Sequence, residues 1–142
     1  MCFSSLIFVV MAQIIRRLWL LIIWTVFIWV SRIRNLINDP EVELSEKIWV
    51  FVVAGIFLLL VLVALIFLTG LWKKHGPATA RFAAIFGLGT SVFWLIRGAG
   101  ILFETQHDFG FKFIHSGLAF ISIFLGFFLY MAGDRPKSKF LN

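Results

Sequence analysis

The chain has 142 residues, of which 61% are apolar and 14% charged, and its formal net charge is +6. Soluble domains hold roughly 45–50% apolar and about 25% charged residues, so a water-soluble fold of this size would lack the polar side chains to cover its surface. The composition excludes a soluble enzyme, a disordered tail and a nucleic-acid-binding domain, and it predicts an integral membrane protein.

Four apolar segments follow one another along the chain, and each is long enough to cross roughly 30 Å of hydrocarbon at about 1.5 Å per residue. The first needs its flanking arginines to snorkel toward the interface, because its uncharged centre is short. Short connections between consecutive helices predict an all-α, up-and-down four-helix bundle. The predicted spans are Ile14–Asn35, Ile48–Leu68, Phe82–Phe103 and Phe109–Gly133.

Three parts are predicted along the chain: an apolar N-terminal extension at residues 1–15, the four-span bundle at 16–133 and a basic cytoplasmic tail at 134–142. The extension has no basic n-region and no small-residue cleavage site, which disfavours a cleavable signal peptide. The chain could begin at Met1 or at Met11, and the sequence leaves both starts open.

Turn signals follow the first span and the second span. Asn38-Asp39-Pro40 predicts a turn after the first helix, and His75-Gly76-Pro77 predicts a second break. Ser45, followed by Glu46, predicts the N-cap of the second helix with an acid in its first turn.

Basic residues predict the orientation in the membrane. Eight Lys and Arg residues fall on the side that holds both termini and four fall on the opposite side, so the positive-inside rule predicts cytoplasmic termini. Trp29 and Trp49 are predicted at the outer edge, where indole rings concentrate.

Arg97 lies inside the third span, where a guanidinium is costly and often marks a functional site. Ala83 and Gly87 share its helix face at helical spacing. Small residues let helices approach closely in lipid, so we predict that Ala83 and Gly87 contact a partner or lipid. Arg97 itself either snorkels to phosphates or pairs with Glu104, or it binds a ligand.

The fourth span carries a comparable stripe of His115, Ala119, Ser122 and Gly126 at helical spacing. Ala119, Ser122 and Gly126 are predicted to contact a partner or lipid. His115 either packs at the interface or, with Arg97, binds haem or a quinone. No histidine occurs in the first or second span, so haem ligation by two histidines of facing helices is excluded.

Five polar residues of the third and fourth spans and the loop between them converge at one predicted rim. They could form a proton-accessible or quinone-head pocket, but a tight loop would bring them together in any case. These residues are Arg97, Glu104, His107, Asp108 and His115.

Arg32 and Arg34 lie on the predicted outer side, against the usual preference of basic residues. They could bind anionic lipid headgroups or acidic loops of a partner. The alternative is neutralisation by nearby acids of the same chain, namely Asp39, Glu41, Glu43 and Glu46.

Several motifs of catalysis and metal binding do not occur in the sequence. The spans hold no Asp or Glu, which disfavours a proton-coupled multidrug transporter, and there is no catalytic triad or phosphate loop. A single cysteine excludes an intramolecular disulfide and a thiolate metal cage. The sequence therefore predicts a protein that is not an enzyme and holds no metal, with haem or quinone as the alternative cofactors.

Four segments of the chain resemble small four-span membrane proteins of actinobacteria: Leu18-Trp19-Leu20, Trp29–Asn35, Val92–Leu102 and Phe113-Ile114-His115. The resemblance covers about Met11–Ala132. Similar small proteins occur as accessory subunits of the cytochrome bcc-aa3 respiratory supercomplex. The resemblance thus implies an accessory subunit in the bacterial cell membrane, with other integral-membrane subunits and phospholipids as partners. The alternatives are a haem- or quinone-binding protein and a small homo-oligomeric channel or transporter with Arg97 in its pore.

Overall fold

A computed structural model describes the backbone of residues 2–69, 76–103 and 109–140 and the side chains of 8–69, 76–103 and 109–134. Each of its helices contains a segment long and apolar enough to cross a membrane. The predicted all-α four-helix bundle is confirmed, and its four apolar helices indicate a multi-pass membrane protein. The helices are α1 (Cys2–Asn38), α2 (Leu44–Leu68), α3 (Pro77–Phe103) and α4 (Phe109–Phe140).

Helix α1 is longer than the span predicted from the sequence. It runs without interruption from Cys2 to Asn38, through the boundary predicted between residues 15 and 16. No Gly or Pro occurs between these ends, so nothing breaks the helical backbone. Ile14 is fully buried in the core, which means that part of the predicted extension packs with the bundle. Helix α4 likewise continues to Phe140, into the predicted tail.

The link between α1 and α2 begins where the sequence predicts a turn. The Asp39 carboxylate accepts a hydrogen bond from the Glu41 backbone N–H at 3.0 Å, which is an Asx-type turn. Glu46 lies in the first turn of α2 as predicted, but the N-cap residue is Glu43 rather than Ser45. The Glu43 carbonyl accepts the Lys47 N–H at 3.0 Å, so the helix begins two residues earlier without a side-chain cap.

Contacts between helices show that neighbours in sequence are antiparallel neighbours in space. Phe67 stacks on Phe82 and Phe57 meets Phe93 edge-on, so later positions of α2 face earlier positions of α3. Helix α4 packs against both α3 and α1, and α2 does not contact α4 within the described residues. The bundle is therefore up-and-down, and both α1–α2 and α3–α4 turn at the same end. Cytoplasmic placement of the termini stays a prediction.

The two tryptophans predicted at the outer edge differ in the structure. Trp49 is 59% exposed, as expected for an edge residue, whereas Trp29 is only 4% exposed. Trp29 faces the bundle interior and stacks on Phe57 at 5.2 Å between ring centroids. Its sequence position places Trp29 near the end of the predicted span but does not show on which face of the helix it lies.

Candidate functional site

Helices α3 and α4 form the most extensive interface of the bundle, and glycines let their backbones touch. A Cβ atom built on Gly126 would lie 2.5 Å from Ser91 Oγ and 2.6 Å from the Gly87 carbonyl oxygen. At Gly133 a Cβ atom would lie 2.6 Å from the Ala80 carbonyl oxygen. All three distances are too short for a side chain, so this interface requires glycine at both positions.

Hydrogen bonds that involve serine hydroxyl groups link the helices beside these glycines. Ser91 Oγ donates to the Ile123 carbonyl of α4 at 3.0 Å. From α1, the Trp24 indole N–H donates to Ser122 Oγ at 2.9 Å, and Ser122 in turn donates to the Leu118 carbonyl at 2.7 Å. In hydrocarbon no water can satisfy such groups, so each bond between helices removes a polar group from lipid.

This packing corrects the assignment of the small-residue stripes to a partner or to lipid. The five residues that were assigned to a partner or to lipid are all buried inside the chain, where they contact its own helices and leave almost no surface for a partner. Helical spacing correctly predicted that these faces pack closely. The structure shows that they pack against neighbouring helices of the same chain. The five are Ala83, Gly87, Ala119, Ser122 and Gly126.

Between the middle of the bundle and the end where α1 joins α2, large aromatic side chains fill the space between helices. Trp29 of α1 stacks on Phe57 of α2, and Phe57 meets Phe93 of α3 at 5.0 Å between ring centroids. Trp94 lies 6.4 Å from Trp29. We refer to Trp29, Phe57, Phe93 and Trp94 as the aromatic cluster.

A half-open cavity of about 20 Å³ lies beside the aromatic cluster, between α1, α2 and α3. That volume holds about one water-sized group. Two guanidinium side chains, Arg32 and Arg97, line it together. The remaining lining residues are aromatic or aliphatic: Trp29, Trp49, Val50, Val53, Phe93 and Trp94.

The charge around this cavity is unbalanced. Its lining holds two positive groups and no carboxylate. Arg97 repels the Arg32 guanidinium, and Glu46 of α2 attracts it. A guanidinium below the headgroups of a bilayer is costly unless it is paired. Two cations sharing one cavity are therefore an arrangement that an anion would stabilise.

The cavity lies at one depth on all three helices. Arg32 is six residues before the end of α1 and Arg97 is six residues before the end of α3, while Val50 is six residues after the start of α2. Six residues correspond to about 9 Å along a helix. The predicted spans did not show this agreement, because Arg32 lies three residues before the end of its predicted span and Arg97 lies six before the end of its own. Only the packing shows that the two arginines line one cavity.

Arg34, predicted to act with Arg32, is exposed and does not line the cavity. His115, predicted to act with Arg97, lies apart from the cavity on α4. Its Nδ1 is 2.9 Å from the Phe111 carbonyl oxygen, and its ring stacks on that of Phe111 at 3.8 Å. The structure thus joins Arg97 with Arg32 rather than with His115.

The predicted rim pocket is only partly described. Glu104, His107 and Asp108 lie outside the described residues. Within the described parts of the chain, no three His, Cys, Asp or Glu residues are grouped as a metal ion would require. A comparison with protein families, with curated proteins and with solved structures finds no match.

Proposed function

We propose that the chain is a non-catalytic accessory subunit of a larger integral-membrane complex, namely a respiratory electron-transport complex of the bacterial cell membrane. The observation that carries the proposal is the outward face of α3. Gly89 and Gly100 lie on it, and a Cβ atom at either position would meet open space. They are eleven residues apart, which is about three helical turns, so they share one face.

Apolar side chains surround these two glycines. Ile85, Val92 and Ile96 occupy the same face at helical spacing, and all three are exposed. Lipid chains supply no hydrophobic drive between helices, so association in a membrane relies on close packing over small residues. A helix of another subunit could approach the α3 backbone at Gly89 and Gly100 in the way that α4 approaches it at Gly87.

The respiratory assignment depends on the resemblance to small actinobacterial membrane proteins. The test is purification of a tagged full-length chain in mild detergent, followed by mass spectrometry of the eluate. We expect oxidase or reductase subunits at stoichiometric levels. Co-purification of another integral-membrane complex would keep the accessory role and exclude the respiratory one, and migration as a free small species would contradict both.

The face of association is tested by adding a side chain where the structure has room. Gly89→Leu and Gly100→Leu should lower the recovered partner about tenfold, because each leucine would hold the partner helix away. Gly55→Leu on α2 is the matched control, since its Cβ also meets open space. Equal losses in all three variants would exclude α3 as the specific docking face.

Haem or quinone binding through His115 and Arg97 is less well supported, because His115 does not line the cavity that holds Arg97. A Soret band or an extractable quinone in the purified chain would favour it. A channel with Arg97 in its pore predicts that Arg97→Leu abolishes ion flux in reconstituted vesicles.

A further inference from the structure

We infer that the cavity between α1, α2 and α3 binds the phosphate group of an anionic phospholipid through Arg32 and Arg97. Each arginine comes from a different helix, and the two line the same half-open space. The site belongs to the single chain, so it would be present whether or not the chain joins a complex.

The chemistry of the lining selects phosphate. Guanidinium groups are planar and present several N–H donors in a fixed fork, which matches the oxygens of a phosphate. Aromatic and aliphatic side chains form the other walls, and they offer no hydrogen-bond acceptor that could replace an anion. A cavity of about 20 Å³ admits one phosphate oxygen between the arginines, while the rest of the headgroup would stay on the open side.

The charge balance selects a lipid with net negative charge. The cavity lining holds two positive groups and no carboxylate. A net positive charge therefore remains for a ligand to neutralise. Phosphatidylglycerol carries one net negative charge, whereas phosphatidylcholine carries none because its ammonium group compensates the phosphate. The cavity should therefore prefer phosphatidylglycerol.

The surroundings favour a lipid over a free phosphate ion. The cavity lies about 9 Å from the ends of its helices, and arginine side chains at that depth extend toward the headgroups of a bilayer. Trp49 lines the cavity and is itself exposed, and the exposed residues Val52, Ile56 and Leu59 continue the same face of α2 toward the membrane centre. Acyl chains could lie along this apolar strip while the phosphate occupies the cavity.

The experiment is native mass spectrometry of the full-length chain in non-ionic detergent with equimolar dioleoyl phosphatidylglycerol and dioleoyl phosphatidylcholine. We expect about tenfold more phosphatidylglycerol adduct than phosphatidylcholine adduct. Arg32→Gln and Arg97→Gln should each remove most of this preference. Arg34→Gln, which deletes the same charge two residues from Arg32 but outside the cavity, should retain the preference.

An equal loss of the preference in Arg34→Gln would overturn the site, because it would indicate unspecific charge attraction. A wild-type chain that shows no preference would also overturn it. Inorganic phosphate, added to the wild-type chain at about a hundredfold excess over the lipid, should leave the adduct intact. Displacement by phosphate would assign the cavity to a soluble anion and overturn the lipid assignment.

Far-UV circular dichroism checks that the variants remain helical. If a glutamine variant unfolds, Arg97→Lys tests the site instead, because lysine keeps the positive charge but lacks the guanidinium fork. We expect this variant to lose part of the preference, roughly threefold. An unchanged preference in Arg97→Lys would overturn recognition by the guanidinium fork.

Discussion

The α3–α4 interface and the aromatic cluster hold helices together by opposite means. At the interface, Gly87 and Gly126 bring two backbones into contact, and serine hydroxyls bridge them. At the cluster, Trp29 and Phe57 fill the gap between helices that stay further apart, and a cavity with two arginines remains beside them. The first arrangement leaves no room for a ligand, whereas the second does.

This contrast follows from the lipid that surrounds the helices. In lipid, burying an apolar side chain gains little, so stability depends on how well surfaces fit and on whether polar groups are paired. Small residues achieve that fit by close approach, and large rings achieve it by contact area. At the aromatic cluster, the cavity between the helices leaves space for two charged groups.

The largest effect is expected in the aromatic cluster. Trp29→Ala should lower the free energy of unfolding by about 3 kcal/mol, because it removes a buried indole that contacts rings on two other helices. The measurement is titration of the purified chain with sodium dodecyl sulfate, followed by helical ellipticity. Trp49→Ala, in an exposed indole near the same cavity, should change stability far less. Equal losses would contradict the central role of Trp29.

The next effect concerns the α3–α4 interface. Gly126→Ala should cost about 2 kcal/mol, because the new Cβ would lie too close to Ser91 Oγ and to the Gly87 carbonyl. Gly117→Ala on the same helix has open space around it and should be neutral or slightly stabilising, since alanine favours helices. The same titration compares the two, and a neutral Gly126→Ala would show that the helices are not in backbone contact.

A smaller effect is expected from the hydrogen bond between α1 and α4. Ser122→Ala leaves the Trp24 indole N–H without its acceptor and should cost about 1 kcal/mol. Ser116→Ala is the matched control on α4, because the buried Ser116 hydroxyl has no hydrogen-bond partner among the described residues. Indole N–H exchange, followed by NMR, should accelerate at Trp24 in Ser122→Ala alone. Equal exchange in both variants would argue against the bond.

The smallest effect is expected at the other contact between α1 and α4. Arg17 donates to the Phe128 carbonyl at 2.6 Å, and its guanidinium lies 5.5 Å from the centre of the Phe128 ring. Because the bond is exposed, Arg17→Gln should cost only about 0.5 kcal/mol. Arg16→Gln, at an exposed neighbour, should be neutral in the same unfolding titration. A loss shared by both variants would point to overall charge instead.

The four helices could be predicted from the sequence because the signal is local. A run of apolar residues as long as a membrane is thick allows few alternatives to a helix. The small-residue faces of α3 and α4 were also predicted from local spacing. Their partner was not, because Gly87 and Gly126 lie 39 positions apart, and spacing shows that a face packs without showing what it packs against.

The cavity could not be predicted either. Its lining comes from three helices, and spacing along one helix does not show which residues of another helix it faces. The sequence marks both arginines as unusual, but it predicts that Arg32 acts with its neighbour Arg34 and that Arg97 acts with His115 on the predicted rim. Which side chains meet depends on the rotation of each helix about its axis. That rotation is set by packing of the aromatic cluster, which brings Trp29 inward and carries Arg32 toward Arg97.

The bonds from α1 to α4 also constrain how the protein is made. Trp24 and its acceptor are 98 residues apart, and Arg17 and its acceptor are 111 residues apart. At ribosomal speeds of about 5–20 residues per second, the first helix waits roughly 5–20 s for the last one to be synthesised. During that interval its indole and guanidinium groups need temporary partners, which insertion machinery or lipid headgroups must provide.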